Sequence, residues 1–205
     1  MEKNKEFPKV SITYNETLDP IFVFYSQHSE IGKKLKWDSW TPPSNDEMKK
    51  RIRQYRETWK PFEESFFKMM EEVTNTPCIN KVIDVHIVSG SPRQIGFPII
   101  IKSGFSNEEF ITIIIHELIH YYINIHQLPK SFENEKLINE TALTKKHIIV
   151  FSIMKYFFDD IIQKPQFTIA AIEKSKKHST IEYTQAWNEV EKDYLGIIET
   201  FKKQV

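Results

Sequence analysis

The sequence predicts an α+β fold, a small and mostly antiparallel sheet packed on one central helix and followed by further helices. Three observations predict it. Short β-prone runs are confined to the first half of the chain, at 10–14, 21–25, 81–88 and 95–102. The second half reads as long helical patterns interrupted by proline. Two Ser/Glu pairs have the spacing of a helix capping box, Ser44 with Glu47 and Ser106 with Glu109.

The elements follow in order. Val10–Tyr14 and Ile21–Tyr25 are expected strands, separated by the turn-forming Asn15 and Asp19-Pro20. Residues 37–43, with two tryptophans and two prolines, read as a loop. Ser44 opens a helix expected to run to about Val73 and to break at Lys60, before Pro61. Two strands, 81–88 and 95–102, flank a turn holding Gly90, Pro92 and Gly96. Pro98 makes the second an edge strand or a late-starting one. Such an edge can accept an extended peptide as an added strand. Ser106 starts a strong helix through about Asn124, ending before Pro129. A third long helix is expected from about Ser131 to Gln163, bounded by Pro165. The tail, 166–203, reads as one or two amphipathic helices with a break near His178-Ser179-Thr180.

A chain of 205 residues suits a single domain with a real core. Within it, 1–80 supplies the N-terminal strands and helix, 81–163 the chemical core and 164–205 the C-terminal helices. Lysine plus arginine and aspartate plus glutamate number 28 each, so the formal net charge is zero. That balance removes any general pull toward nucleic acid or an anionic membrane. The lone cysteine, Cys78, cannot form an intrachain disulfide, which fits a reducing compartment. No apolar leader follows the first residues, Met1-Glu-Lys-Asn-Lys-Glu6. The most apolar stretch, 111–125, carries His, Glu and Asn and is too short to span a bilayer. A cytoplasmic protein without membrane or nucleic-acid partners is expected.

That stretch carries the chemistry. His116-Glu117-Leu118-Ile119-His120 places two imidazoles one helical turn apart, about 40° from each other around the axis. One ion can then be reached by both. Glu117 is offset by about 100°, close enough to act as general base toward water activated by the metal. Such a pattern also arises by chance. The rest of this helix is nearly apolar, however, and polar groups buried there without partners would cost several kcal/mol. A bound Zn2+ would compensate all three.

Catalytic zinc usually keeps three protein ligands and one open position. Glu140, in Asn139-Glu140-Thr141-Ala142, is the leading candidate for the third, placed mid-helix on the expected next helix. His126, Glu133 and Glu135 are alternatives. His147 lies seven residues beyond Glu140 on almost the same helix face. It can hydrogen-bond a ligand or stabilise an oxyanion, or be an ordinary histidine at the core margin. Tyr183, Tyr194 and His86 are lesser candidates, with packing the plainer role for each. Trp37, Trp40 and Trp59 read as packing residues, and the basic run Lys49, Lys50, Arg51, Arg53 and Arg56 as a solvated helix face.

HELIH followed at this distance by an Asn-Glu pair resembles the gluzincins, the thermolysin-like branch of the zincin metallopeptidases. The resemblance covers about 106–150 only. It implies a zincin-like fold and a zinc peptidase acting on peptides or proteins, with His116, His120 and Glu140 as ligands and Glu117 as base. Many gluzincins carry an aspartate four residues after the ligand glutamate, where this chain has Thr144. The histidine spacing through His126 resembles the metzincins instead, but Ile123 stands where that family places a turning glycine. The alternative function is a catalytically inactive or latent zincin-like module that acts by binding.

Overall fold

The structure, a computed structural model, describes residues 6–34, 36–91, 94–130, 139–178 and 180–205. The fold is α+β. The described residues form eight α-helices and a four-stranded mixed sheet. The strands are β1 (Lys9–Tyr14), β2 (Val82–Val88), β3 (Ile95–Gly96) and β4 (Ile99–Lys102). The helices are α1 (Asp19–His28), α2 (Glu30–Lys34), α3 (Asn45–Trp59), α4 (Glu63–Thr74), α5 (Asn107–Ile125), α6 (Ala142–Tyr156), α7 (Gln166–His178) and α8 (Ile181–Lys202). A π-helical turn, Phe157–Ile161, continues α6.

The sheet order is β1-β2-β4-β3, and it corrects the expectation of a mostly antiparallel sheet. Both β1–β2 and β2–β4 are parallel, and only β3–β4 is antiparallel. The cause lies in the connections. Helices α1 to α4 intervene between β1 and β2 and return the chain in the same direction, as a parallel crossover requires. After β2 the chain passes to the far edge, forms β3, and turns back through a cis Phe97–Pro98 bond. β4 then lies inside, between β2 and β3. The single expected strand at 95–102 is therefore two, and its longer part is internal.

Residues 21–25 form helix, not strand. Their β-branched and aromatic composition favours a strand, but Pro20 occupies the first helical turn, where proline is at home. Asn15 Oδ1 accepts the Leu18 N–H at 3.0 Å and fixes the entry. The buried Asp19 then locks the helix to the sheet. Its carboxylate accepts the Ser89 N–H, the Ser89 hydroxyl at 2.6 Å and the Tyr14 hydroxyl at 2.7 Å. Burial and the Asp19 carboxylate push the Tyr14 hydroxyl up to about 12.

The expected helix from Ser44 is present as α3 and α4, broken around Pro61. Both halves of the Ser44–Glu47 capping box form. The buried stripe of α3 is Met48, Ile52, Tyr55 and Trp59, one residue per turn. Tyr55 stacks on Phe110 with ring centroids 3.9 Å apart, and its hydroxyl meets the Ser103 and Phe105 carbonyls at 2.7 and 2.8 Å. From the basic run, Arg51 donates to the Ser103 carbonyl and Arg56 to the Ile12 carbonyl. Of the tryptophans, Trp59 is buried, and Trp40 packs on Gly90, where a Cβ would come within 2.7 Å of the indole.

The chain divides into two compact units. One comprises 8–63 and 80–117: the sheet, α1 to α3 and the first half of α5. Its core holds Ile12, Tyr55, Ile83, Val85, Ile87, Ile99, Ile101 and Phe110. The other takes in 64–79 and 118–205, and its central element is α6, buried at every position from His147 to Met154. There Phe151 stacks on Trp187 of α8 at 4.4 Å, and Phe66 meets Phe157 edge-on at 5.6 Å. In the tail α7 ends at His178 and α8 begins at Ile181, while Ser179 of the expected break lies outside the described residues. No helix among the described residues is long and apolar enough to cross a membrane.

Replacing Tyr55 by Phe removes a buried hydroxyl and its bonds to the Ser103 and Phe105 carbonyls, leaving Ser103 to Arg51 and the ring stack in place. Urea titration should show a loss of about 1–3 kcal/mol.

Candidate metal centre

The site is built on α5 and α6. The Ser106–Glu109 capping box sets where α5 starts: Ser106 N–H donates to Glu109 at 3.0 Å and Glu109 N–H to Ser106 Oγ at 3.2 Å. From there the apolar positions Phe110, Ile111, Ile114, Ile115, Leu118, Ile119, Tyr122 and Ile123 are all buried. His116 and His120 are half-buried, and Glu117 is buried. Because one continuous helix carries both histidines, the helix itself sets their spacing.

The third member is His147. One ligating nitrogen from each of His116, His120 and His147 lies within 4.8 Å of the others. The His120 and His147 rings meet edge to face at 5.1 Å. His147 Nδ1 lies 2.8 Å from the Leu143 carbonyl oxygen, which can only accept. The proton therefore sits on Nδ1, and Nε2 carries a lone pair. Holding one ring N–H on a backbone carbonyl while the other nitrogen ligates is the usual arrangement around a metal-bound imidazole.

Electrostatics favour the ligating, neutral form. Burial pushes the His120 imidazole down to about 3, with Lys146 and His147 adding to the effect. Burial pushes His147 down to about 4, with Lys146 adding to it, while the Leu143 hydrogen bond opposes the shift. Protons therefore compete weakly for these nitrogens at neutral pH. The donors fit a borderline-soft divalent ion, since three imidazoles are a known catalytic zinc set that leaves a fourth position open.

The remaining candidate ligands from the sequence are not among the three histidines that cluster. Glu140 is not mid-helix. It sits in a bend two residues before α6, half-exposed and outside the histidine group. The helix begins later than expected because Thr141 serves as its N-cap, accepting the Thr144 N–H at 3.1 Å. Glu133 and Glu135 lie outside the described residues. The buried Thr144 lies 3.1 Å from Thr141 Oγ1 and 3.5 Å from Gln185 Oε1. His126 falls just past α5 and packs on Tyr122 at 4.6 Å, and burial lowers its pKa. Tyr183 lies against the His147 ring at 4.2 Å, whereas the Tyr194 hydroxyl is engaged with Asp160 at 2.9 Å. His86 sits on β2 in register with Thr13 and Ile100. His147 was visible in the sequence as a candidate, but its closeness to α5 depends on helix packing that no local pattern encodes.

Comparison with protein families, curated proteins and solved structures finds no match for this chain.

The lowered histidine pKa values have a consequence for the metal-free protein. The folded state keeps His147 neutral, while the unfolded chain protonates it near the usual 6.5. Stability is therefore complete above about pH 6.5 and falls as pH drops toward the folded value of about 4. His147 alone should remove roughly 2 kcal/mol by about pH 5. Urea titrations in chelator at about pH 7.5 and 5 should show the loss, and a His147→Gln variant should show a smaller one.

Proposed function

We propose that this chain is a zinc-dependent peptidase, with His116, His120 and His147 as metal ligands and Glu117 as general base. The observation that carries the reading is the convergence of three imidazole nitrogens within 4.8 Å, with the His147 tautomer set by the Leu143 carbonyl. The HELIH segment on α5 supports the zincin class. In this reading a histidine from the following helix takes the place of the glutamate that the gluzincin resemblance implies.

His116, His120 and His147 would hold the zinc ion as neutral imidazoles, and the ion would supply Lewis acidity toward a carbonyl and water. Glu117, next to His116 on the same helix, takes the proton from the attacking water. It then delivers that proton to the amide nitrogen as the C–N bond breaks. The Leu143 carbonyl holds His147 Nδ1 and so keeps Nε2 as the nitrogen that would ligate. Burial above all, with the Lys146 charge adding to it, keeps His120 and His147 in their neutral form. The substrate would be a peptide or protein, and the cytoplasm the place of action.

Two experiments test the reading. Glu117→Gln should retain stoichiometric zinc by elemental analysis and lose turnover by about 10²–10⁴-fold on a peptide library. Wild-type rates in that variant would overturn the mechanism. His147→Ala should release zinc while Glu140→Ala keeps it, and the reverse would restore Glu140 as third ligand. Stoichiometric zinc in the wild type with no hydrolysis of any peptide would favour a binding module.

A further inference from the structure

Helices α6 and α8 meet through pairs of rings. His147 and Phe151 stand four residues apart on α6 and share a helix face, as do Tyr183 and Trp187 on α8. The rings pair rung by rung. Phe151 stacks on Trp187 with centroids 4.4 Å apart and planes 7° from parallel. His147 lies on Tyr183 at 4.2 Å with the planes 34° apart. The rungs also touch each other, since Phe151 is 5.4 Å from His147 and 5.5 Å from Tyr183. One rung of this aromatic ladder is therefore a candidate metal ligand.

The sequence of α8 sets where the Tyr183 ring lies. Tyr183 stands in the first turn and heads the buried stripe Ala186, Trp187 and Val190. The tyrosine itself is half-buried. The second rung is anchored outside the ladder, because Trp187 Nε1 donates to Ser175 Oγ of α7 at 3.1 Å. The His147 ring is thus held in two ways. The Leu143 carbonyl takes Nδ1 at 2.8 Å, and the phenol ring lies against the imidazole.

We infer that Tyr183 is a positioning residue for His147, holding its ring in the ligating orientation through the phenol face. The inference rests on the metal reading of His147 proposed above. Two effects make this contact favour the metal-bound form. A ring that is already held loses less rotational freedom when it ligates. A bound cation also draws electron density from the imidazole, and an electron-poor ring gains more from the electron-rich phenol than a neutral ring does. Packing that does not touch the ligand stabilises the metal-free and metal-bound forms alike.

Zinc affinity of the full chain, measured by competition with a chromophoric chelator, tests it. Tyr183→Leu removes the ring and should weaken zinc binding about tenfold, as loss of a group that orients a ligand does. Tyr183→Phe keeps the ring and should bind zinc within about twofold of the wild type. Val190→Ala, on the same stripe about two turns further along, should lower the thermal midpoint and leave zinc affinity unchanged. Tyr183→Met, with the same expected loss of affinity, serves should Tyr183→Leu misfold. Wild-type affinity in both ring-deleted variants would overturn the inference. So would an equal loss in Tyr183→Phe, which would assign the effect to the hydroxyl, or in Val190→Ala, which would assign it to helix docking at large. A wild-type chain that binds no zinc would overturn the metal reading itself, and this inference with it.

Discussion

Desolvation of imidazole is the constraint around which the second half of the chain is organised. Helix α6 is buried at every position from His147 to Met154, so a histidine there has little access to water. His147 answers one of its two nitrogens with a carbonyl of its own helix, Leu143. The other is left as a lone pair in a region that disfavours protonation. His120 is under the same pressure one helix away. Charging these rings is unfavourable, whereas a shared cation would use both lone pairs at once. The apolar character of α5 and α6 is thus part of the site's chemistry, because the low polarity that stabilises the core also selects the protonation state a metal needs.

Much of the helical organisation was legible in the sequence. Ser44 with Glu47 and Ser106 with Glu109 each supply both partners of a capping box within four residues, and the structure forms both. The helix break at Pro61 has an equally local reason. What failed was non-local. In Ile21–Tyr25, strand-favouring side chains competed with the helix start at Asp19-Pro20, and a buried carboxylate bound to Ser89 decided for helix. Strand direction depended on the helices lying between β1 and β2, which no periodicity of the strands themselves records. Glu140 was placed on a helix because the run from Ser131 to Gln163 reads as continuous. Thr141, which caps a later start, was in view, but Thr144 was weighed only against the aspartate of the gluzincin pattern.

The metal centre was legible to the same degree. A pair of histidines at i and i+4 is a property of one helix, so His116 and His120 could be read directly. A third ligand is a property of how two helices pack. Candidates from the next helix could be named, Glu140 and His147 among them, but the choice waited on where α6 begins and which of its faces turns toward α5.

The outer edge of β1 carries a further consequence. The odd-numbered residues of β1 face β2, with the Lys9 and Asn15 N–H groups donating to the Lys81 and Ile87 carbonyls, which leaves the even-numbered backbone groups pointing away. Two of these are already taken: the Val10 N–H donates to Glu63 Oε1 at 2.6 Å, and the Ile12 carbonyl accepts from Arg56 Nε at 2.7 Å. A neighbouring chain that approached this strand would find its template occupied by side chains anchored on helices. At the opposite edge β3 offers only two residues. A predominantly parallel sheet with open borders would be a seed for fibrous self-assembly. Here the borders are blunted, one by side-chain capping and the other by brevity, which protects the folded molecule when it is crowded.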